Sequence, residues 1–236
     1  MINYAPTSLA DIVIGDAFSD DLVRYVADGS LPFPSAGKNG FLIYGPYGMG
    51  KTTLANMLPS EIEVLNGMPS HPFVWSQAGD DDGKVNSRIL KILETAVTVA
   101  NITASKFSHF VIDELDGFSP PHQRKIRAAM SVNQDNIFYF TTNNVHSIDG
   151  GIRNRCHEIN MCAAPAIMWL PLVQRILKDR GVSAMSPATL LPLIEPCNGS
   201  VRDIVTASQL FAAKLLKQTN SGPLAANMDA ADQAAA

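Results

Sequence analysis

Residues 41–44, 72–75, 108–112, 136–141 and 157–161 are short apolar or β-branched runs, and the intervals between them are long enough to hold helices. A strand covered on both faces reads as a continuous apolar run. The alternation therefore predicts an α/β fold, a five-stranded, mostly parallel sheet with helices on both faces. Between the second and third runs, Val85, Ile89, Ile92, Leu93, Ala96 and Val99 recur at helical spacing and predict a helix with one inward face.

Beyond Met161 the pattern is helical alone. A helix over 174–180 ends at Gly181, and Ser186-Pro187 reads as a cap followed by proline at the first helical position. Ser200-Val-Arg-Asp203 resembles a capping box, with Asp in place of Glu or Gln, and opens a helix to about Lys217. Pro171 and Pro192 predict a kink or a late start in their helices. Residues 218–236, rich in Ala, Asn, Asp and Gln, predict a disordered tail. The organisation expected is an α/β domain over 1–163, a small helical domain over 164–217 and the tail over 218–236, with no internal repeat.

Composition narrows the class. The chain of 236 residues is 46% hydrophobic and 17% charged, as in a soluble globular protein. It has no run of the roughly 18 uncharged apolar residues that a membrane span needs, and residues 1–11 lack a basic region followed by an apolar run. A cytoplasmic location is the expectation. Cys156, Cys162 and Cys197 are odd in number and form no CxxC pair, so they are expected to be small buried hydrophobes and not a disulfide framework or a zinc site. A formal charge of −4 argues against nucleic-acid binding by global attraction but leaves room for a local basic patch.

Gly45-Pro46-Tyr47-Gly48-Met49-Gly50-Lys51-Thr52 fits GxxxxGK[ST], directly after the first apolar run and before an apolar helical segment, Thr53 to Leu58. In that strand–loop–helix context the glycines let successive backbone N–H groups surround the β- and γ-phosphates, and the helix N-terminus adds partial positive charge. Lys51 supplies a cation for the phosphate oxygens and Thr52 an oxygen for Mg²⁺. Downstream, Phe110-Val-Ile-Asp113-Glu114 sets two carboxylates at the end of an apolar strand, where ionised groups are costly unless a metal or a reaction requires them. Asp113 would hold Mg²⁺, usually through water, and Glu114 would polarise an attacking water. The adjacent pair favours ATP hydrolysis over the kinase or GTPase chemistry that also uses such loops. Asp116 reads as a turn or supporting acid. The strand Ile137 to Thr142 ends in Asn143-Asn144, which by sequence alone reads either as a turn or as a hydrogen-bonding group for the γ-phosphate or the water.

These residues together resemble the AAA+ ATPases, and within them the clamp-loader branch of replication factor C small subunits and phage clamp-loader ATPase subunits. Tyr4-Ala5-Pro6 and Asp11-Ile12-Val13 are similar to the family's Tyr-Arg-Pro…Asp-Ile-Val segment, which lies against the adenine. Gln123-Arg-Lys-Ile-Arg127 is similar to its Gln-x-x-Leu-Arg helix, Ile152-Arg-Asn-Arg155-Cys156 to its Ser-Arg-Cys motif, and Gly199-Ser-Val-Arg202 to its Gly-Asp-Met-Arg motif in the lid. The resemblance covers about residues 1–216. It implies ATP and Mg²⁺ as cofactors, with Tyr4, Pro6, Ile12, Val13, residues 45–52 and Thr53 on the nucleotide. Asn143 becomes sensor 1, Arg202 sensor 2 from the lid, and Arg155 an arginine finger reaching a neighbouring subunit's ATP in a pentamer- or hexamer-like ring or spiral, homo- or hetero-oligomeric. The plain alternatives are surface ion pairs for Arg153 and Arg155 and pairing with Asp203 for Arg202. The sequence departs from the pattern at Ala5 and Asn154 and carries no zinc-ribbon cysteines. Clamp-loader subunits follow the lid with a helical collar of on the order of 100 residues, where this chain has the polar stretch 218–236.

By the same resemblance the ATPase would work in DNA replication, with DNA and a sliding clamp as partners and Lys84, Arg88, Arg124 and Lys125 as candidate phosphate contacts. The alternative is a helicase-loader or transposition-helper ATPase. Protein remodelling by peptide threading ranks lower, because the loop over 78–85 has no aromatic residue.

Overall fold

A computed structural model of the chain describes residues 4–68, 74–78 and 106–220. The helix expected over 85–99, the loop over 78–85, Lys84, Arg88 and the tail beyond Asn220 lie outside the described residues, apart from Ala78. The described residues fall into two compact units, one within Pro6–Ala164 and the other made of Pro165 onward with Tyr4 and Ala5.

The first unit is an α/β layer structure. Strands β1 (Gly40–Tyr44), β2 (Val74–Ala78), β3 (Ser108–Asp113), β4 (Asn136–Thr142) and β5 (Cys156–Asn160) form one sheet in the order β2-β3-β4-β1-β5, and every pair is parallel. Its helices are α1 (Ala17–Ala27), α2 (Lys51–Leu65), α3 (Pro120–Met130) and the short α4 (Gly150–Asn154). Strand side chains alternate between two cores, as the twofold repeat of a strand requires. Phe41, Ile43, Val111, Ile137, Tyr139 and Ile159 meet Leu54, Leu58 and Ile62 of α2 on one face. Leu42, Phe110, Ile112, Phe138 and Phe140 meet Ile126, Ala129 and Met130 of α3 on the other.

Element boundaries differ from expectation where packing or pairing overrides local signals. The edge strand β2 runs over Val74–Ala78, not 72–75, because its register with β3, Val74 beside His109 through Ala78 beside Asp113, carries it past the apolar run into Ser76 and Gln77. β5 starts one residue early, at Cys156, and Met161 leaves the strand while its N–H still donates to the Tyr44 carbonyl. α2 continues through Pro59 to Leu65, because Leu58 and Ile62 are fully buried against the sheet and outweigh one missing backbone hydrogen bond. Of the three cysteines only Cys156 is buried; Cys162 and Cys197 are partly exposed, and all three are free thiols.

The second unit is helical: α5 (Leu170–Asp179), α6 (Pro187–Ile194) and α7 (Val201–Asn220). Val173, Ile176, Leu177, Leu190, Ile194, Ile204 and Ala212 are among its buried residues, with Trp169 from the turn before α5. α5 begins four residues ahead of Gln174, with Pro171 in its first turn, where a missing N–H costs nothing. Pro192 sits inside α6, which ends two residues later. The Ser200 hydroxyl accepts the Asp203 N–H at the start of α7, and α7 reaches three residues past Lys217.

A buried polar network ties α2 to the sheet. Glu63 accepts the backbone N–H groups of Lys106 and Phe107, each at 2.9 Å, and bonds His109 Nε2 at 2.8 Å, while His109 Nδ1 lies 2.9 Å from the Tyr139 hydroxyl. The Glu63 and His109 side chains have no exposed surface. Burial pushes His109 below the ordinary imidazole value and outweighs the opposing bond to Glu63, and burial holds Tyr139 protonated. A neutral imidazole that donates to Glu63 and accepts from Tyr139 satisfies all three groups. His157, also lowered by burial, acts in the same direction. Below about pH 6.5 the unfolded chain takes up these protons before the folded one does, so their contribution is fully present above that pH and is lost as pH falls toward the lowered folded values. The urea midpoint of unfolding is expected to fall between pH 7 and pH 5; a flat midpoint across that range contradicts the network.

Candidate nucleotide site

The site is built at the carboxyl ends of β1, β3 and β4. Gly45, Gly48 and Gly50 all have positive φ, at 145°, 80° and 92°, and Gly50 caps α2. A Cβ on Gly45 would run into the Met161 carbonyl, so glycine is required there by space as well as by conformation. The loop hands directly to α2, whose N-terminal N–H groups have no partner within the helix. Lys51 Nζ bends back onto the carbonyls of Gly45 and Pro46, at 2.9 and 2.7 Å, and lies 5.7 Å from the centre of the Tyr47 ring. Met49 is buried, whereas Tyr47 is 72% exposed. Thr53, Gly48 and Pro46 complete the loop and first turn.

Asp113 ends β3 beside this loop. Its carboxylate accepts the Thr52 hydroxyl at 3.0 and 3.2 Å and also the Thr141 hydroxyl. Glu114, the next residue, is exposed and has left-handed backbone angles (φ 54°, ψ 52°) that a non-glycine residue adopts only when its surroundings hold it. Its N–H donates to Thr141 Oγ1 at 3.0 Å, and its carbonyl accepts the Gly117 N–H. Asp116 lies in the following turn with a buried oxygen that has no partner.

Asn143 follows β4, next to the pair Tyr44 and Thr142 that ends the β1–β4 register, and so sits at the loop's edge of the sheet. Its Oδ1 is buried without a hydrogen-bond partner. Asn144 caps the next turn, accepting the His146 N–H. Arg153 makes a two-bond ion pair with Glu158, at 2.8 and 3.1 Å, the plain alternative read for it. Arg155 has no carboxylate partner among the described residues; its Nη1 donates to the Gly151 carbonyl. The Arg155 carbonyl accepts the N–H groups of Asn39 and Gly40, which places it at the amino end of β1. The loop lies at the other end of that strand, about five residues or ~16 Å away.

The remaining residues lie around these. Pro6 and Val13 are half-buried and Ile12 is buried, with its carbonyl accepting Arg24 Nη2. Backbone and side-chain hydrogen bonds from Thr7 hold the Asp11 carboxyl below its ordinary range, fixing the turn before Ile12. Tyr4 and Arg202 belong to the helical unit. Tyr4 is buried with an unpartnered hydroxyl, whereas Arg202 is exposed in the first turn of α7 and makes no ion pair with Asp203.

The residues fit a nucleoside triphosphate with Mg²⁺. The glycine cradle and the lysine held by replaceable carbonyl contacts each leave a place for phosphate oxygens, and the orphaned Asn143 oxygen can accept a proton from a water beside them. Thr52 Oγ1 and the Asp113 carboxylate, 3.0 Å apart at the mouth of the loop, are the oxygens that would hold Mg²⁺. No cluster of three His, Cys, Asp or Glu side chains occurs among the described residues, so such an ion would draw its other ligands from phosphate and water.

The model of the ATPase family associated with various cellular activities (AAA) matches residues 41–163, just over half of the 236-residue chain. The chain belongs to the AAA family. Similar solved structures carry the same fold. RuvB of Thermotoga maritima, a Holliday junction branch migration motor, is 16% identical with a TM-score of 0.62. A lysine-to-arginine point mutant of that RuvB reaches 0.65 at 15% identity, each over 87% of this chain and 64% of RuvB. AMPPCP-bound DnaA of Aquifex aeolicus is 14% identical, with a TM-score of 0.55 over 86% of this chain and 64% of DnaA. This AAA chain thus spans less than two thirds of the length of these structures. No curated protein sequence matches it.

Thr141 is a site residue that the motifs do not mark. Its signal lies in the register: it sits opposite Asp113 across β3 and β4, one step beyond the pair Ile112 and Phe140.

Two glycine substitutions separate space from conformation. Gly45→Ala is expected to destabilise the AAA unit by about 3 kcal/mol, whereas Gly37→Ala, also at positive φ but with open space around it, should cost about 1 kcal/mol. Equal losses in thermal or urea unfolding would show that the Met161 contact is irrelevant.

Proposed function

We propose that this protein is a Mg²⁺-dependent ATPase that works as one subunit of an oligomer on DNA, most like a clamp-loader ATPase subunit. The observation that carries the reading is the joining of the phosphate loop to the acidic strand end through Thr52 and Asp113. Lys51 and the loop backbone bind the β- and γ-phosphates, and Thr52 and Asp113 hold the metal, which when bound neutralises phosphate charge. Glu114, exposed at the sheet's edge, takes the proton of the attacking water. Asn143 donates its amide N–H to the γ-phosphate or accepts a proton of that water through its unpartnered oxygen. Pro6, Ile12 and Val13, which belong to the same unit as the loop, meet the adenine.

Arg155 lies at the end of the sheet opposite its own phosphate loop, so its guanidinium serves a neighbouring subunit's ATP. A planar, permanently charged group suits the transition-state phosphate, and supplying it in trans makes turnover depend on assembly. Glu114→Gln should keep ATP binding and lose at least about 100-fold in kcat. Arg155→Ala should lose about 10³-fold or more and regain turnover when mixed with Lys51→Ala protein, which donates an intact finger. Normal turnover by Glu114→Gln, or no recovery at any mixing ratio, counts against these roles.

DNA is the substrate favoured by Arg124 and Lys125, both exposed on α3. The same helix carries Gln123, whose side chain bonds the Phe118 and Ser147 carbonyls and the Asp149 N–H in the loops that follow Glu114 and Asn143. RuvB, similar in fold, is a Holliday junction branch migration motor. Replacing Arg124 and Lys125 together by Ala should remove DNA stimulation of the ATPase and lower the log–log salt slope of DNA binding by about 2, leaving DNA-free turnover unchanged. Unaltered stimulation would place the contact elsewhere. Co-purification with a sliding clamp separates clamp loading from helicase loading or transposition.

A further inference from the structure

We propose that Thr141 is the positioning residue of this site: its single hydroxyl sets both the metal-facing carboxylate of Asp113 and the backbone that carries Glu114. The inference rests on the ATPase reading above. Thr141 lies on β4 between Ile43 of β1 and Asp113 of β3, and is 1% exposed. With an aliphatic neighbour on one side, its hydroxyl has polar partners only toward β3, and it uses both directions there. It donates its proton to Asp113 Oδ1 and accepts the Glu114 N–H at 3.0 Å.

The two bonds have different consequences. Asp113 Oδ1 also accepts the Thr52 hydroxyl, but Thr52 is the group that would turn to a metal. Thr141 is then the partner that remains, and it fixes the carboxylate's rotation before and after the ion arrives. Glu114 is in a left-handed conformation that is unfavourable for an L-residue. The Thr141 bond on its N–H and the Gly117 bond on its carbonyl hold it there. An exposed side chain anchored only through its backbone takes its aim from that anchor. Thr141 touches no reacting atom; it acts through the two acidic residues.

The test compares Thr141→Val, which keeps the shape and removes the hydroxyl, with Thr141→Ser, which keeps the hydroxyl, in the full chain. For Thr141→Val, nucleotide affinity without Mg²⁺ should stay within about 3-fold of wild type. The Mg²⁺ concentration for half-maximal turnover should rise several-fold and kcat should fall about 10- to 100-fold. Hydrogen exchange at the Glu114 amide should accelerate about 10-fold or more. Thr141→Ser should restore kcat and amide protection to within about 3-fold. A Thr141→Val protein with wild-type Glu114 protection and wild-type Mg²⁺ dependence overturns the proposal, as does a Thr141→Ser protein as impaired as Thr141→Val. If Thr141→Val does not fold, Thr141→Ser and Thr141→Ala carry the same comparison. If the wild-type chain shows no turnover, the ATPase reading fails, while amide exchange at Glu114 still decides the role of Thr141.

Discussion

The Asp113 carboxylate is the junction on which the site depends. It ends β3, yet its hydrogen bonds come from Thr52 in the first turn of α2 and from Thr141 on β4. One side chain thereby fixes the phosphate loop's helix, the acidic strand and the neighbouring strand to one another. A carboxylate left unsatisfied at a strand end would cost several kcal/mol, so the hydroxyls are a condition for placing it there. The sheet order makes the junction possible: β4 lies between β1 and β3, which lets one threonine reach both acidic residues while the β1 loop approaches from the other side.

The same helix is gripped at its far end. Glu63, in the last turn of α2, accepts the two N–H groups that precede β3 and bonds His109 within it. α2 is therefore tied to β3 at both termini, by Thr52 to Asp113 and by Glu63 to His109, with Leu54, Leu58 and Ile62 packed on the sheet between. Rigid placement of the loop relative to the acids follows from two polar clamps and an apolar seam. Opposing this, Glu114 keeps a strained backbone, and Asn143 and Asp116 keep unpartnered buried oxygens. Such local costs persist where the surroundings impose them, and these three lie just beyond the carboxyl ends of β3 and β4.

Much of this is legible in the sequence, for identifiable reasons. The central strands are buried on both faces, so they appear as uninterrupted apolar runs, and the phosphate loop announces itself because three glycines and a lysine at fixed spacing serve one geometry. The full length of α2 is hidden by its proline, since burial of Leu58 and Ile62 exceeds what one missing backbone bond costs. The apolar run over 72–75 misplaces β2 because an edge strand is set by pairing with its one neighbour and not by apolar content. Thr141 is not legible, because threonine is common in strands and only the cross-strand register reveals what it faces. The ion pair of Arg153 with Glu158, leaving Arg155 with a backbone carbonyl, likewise depends on a tertiary arrangement that motif spacing does not encode.

The central claim is that the Thr52–Asp113 junction is a metal–nucleotide site. Calorimetric titration of ATP into the full chain, with and without Mg²⁺, tests it most directly. The account predicts saturable binding of one ATP per chain, with Mg²⁺ tightening it by about 10-fold or more through the oxygens of Thr52 and Asp113. Binding of equal strength with and without Mg²⁺, or no saturable binding at millimolar ATP, would contradict it.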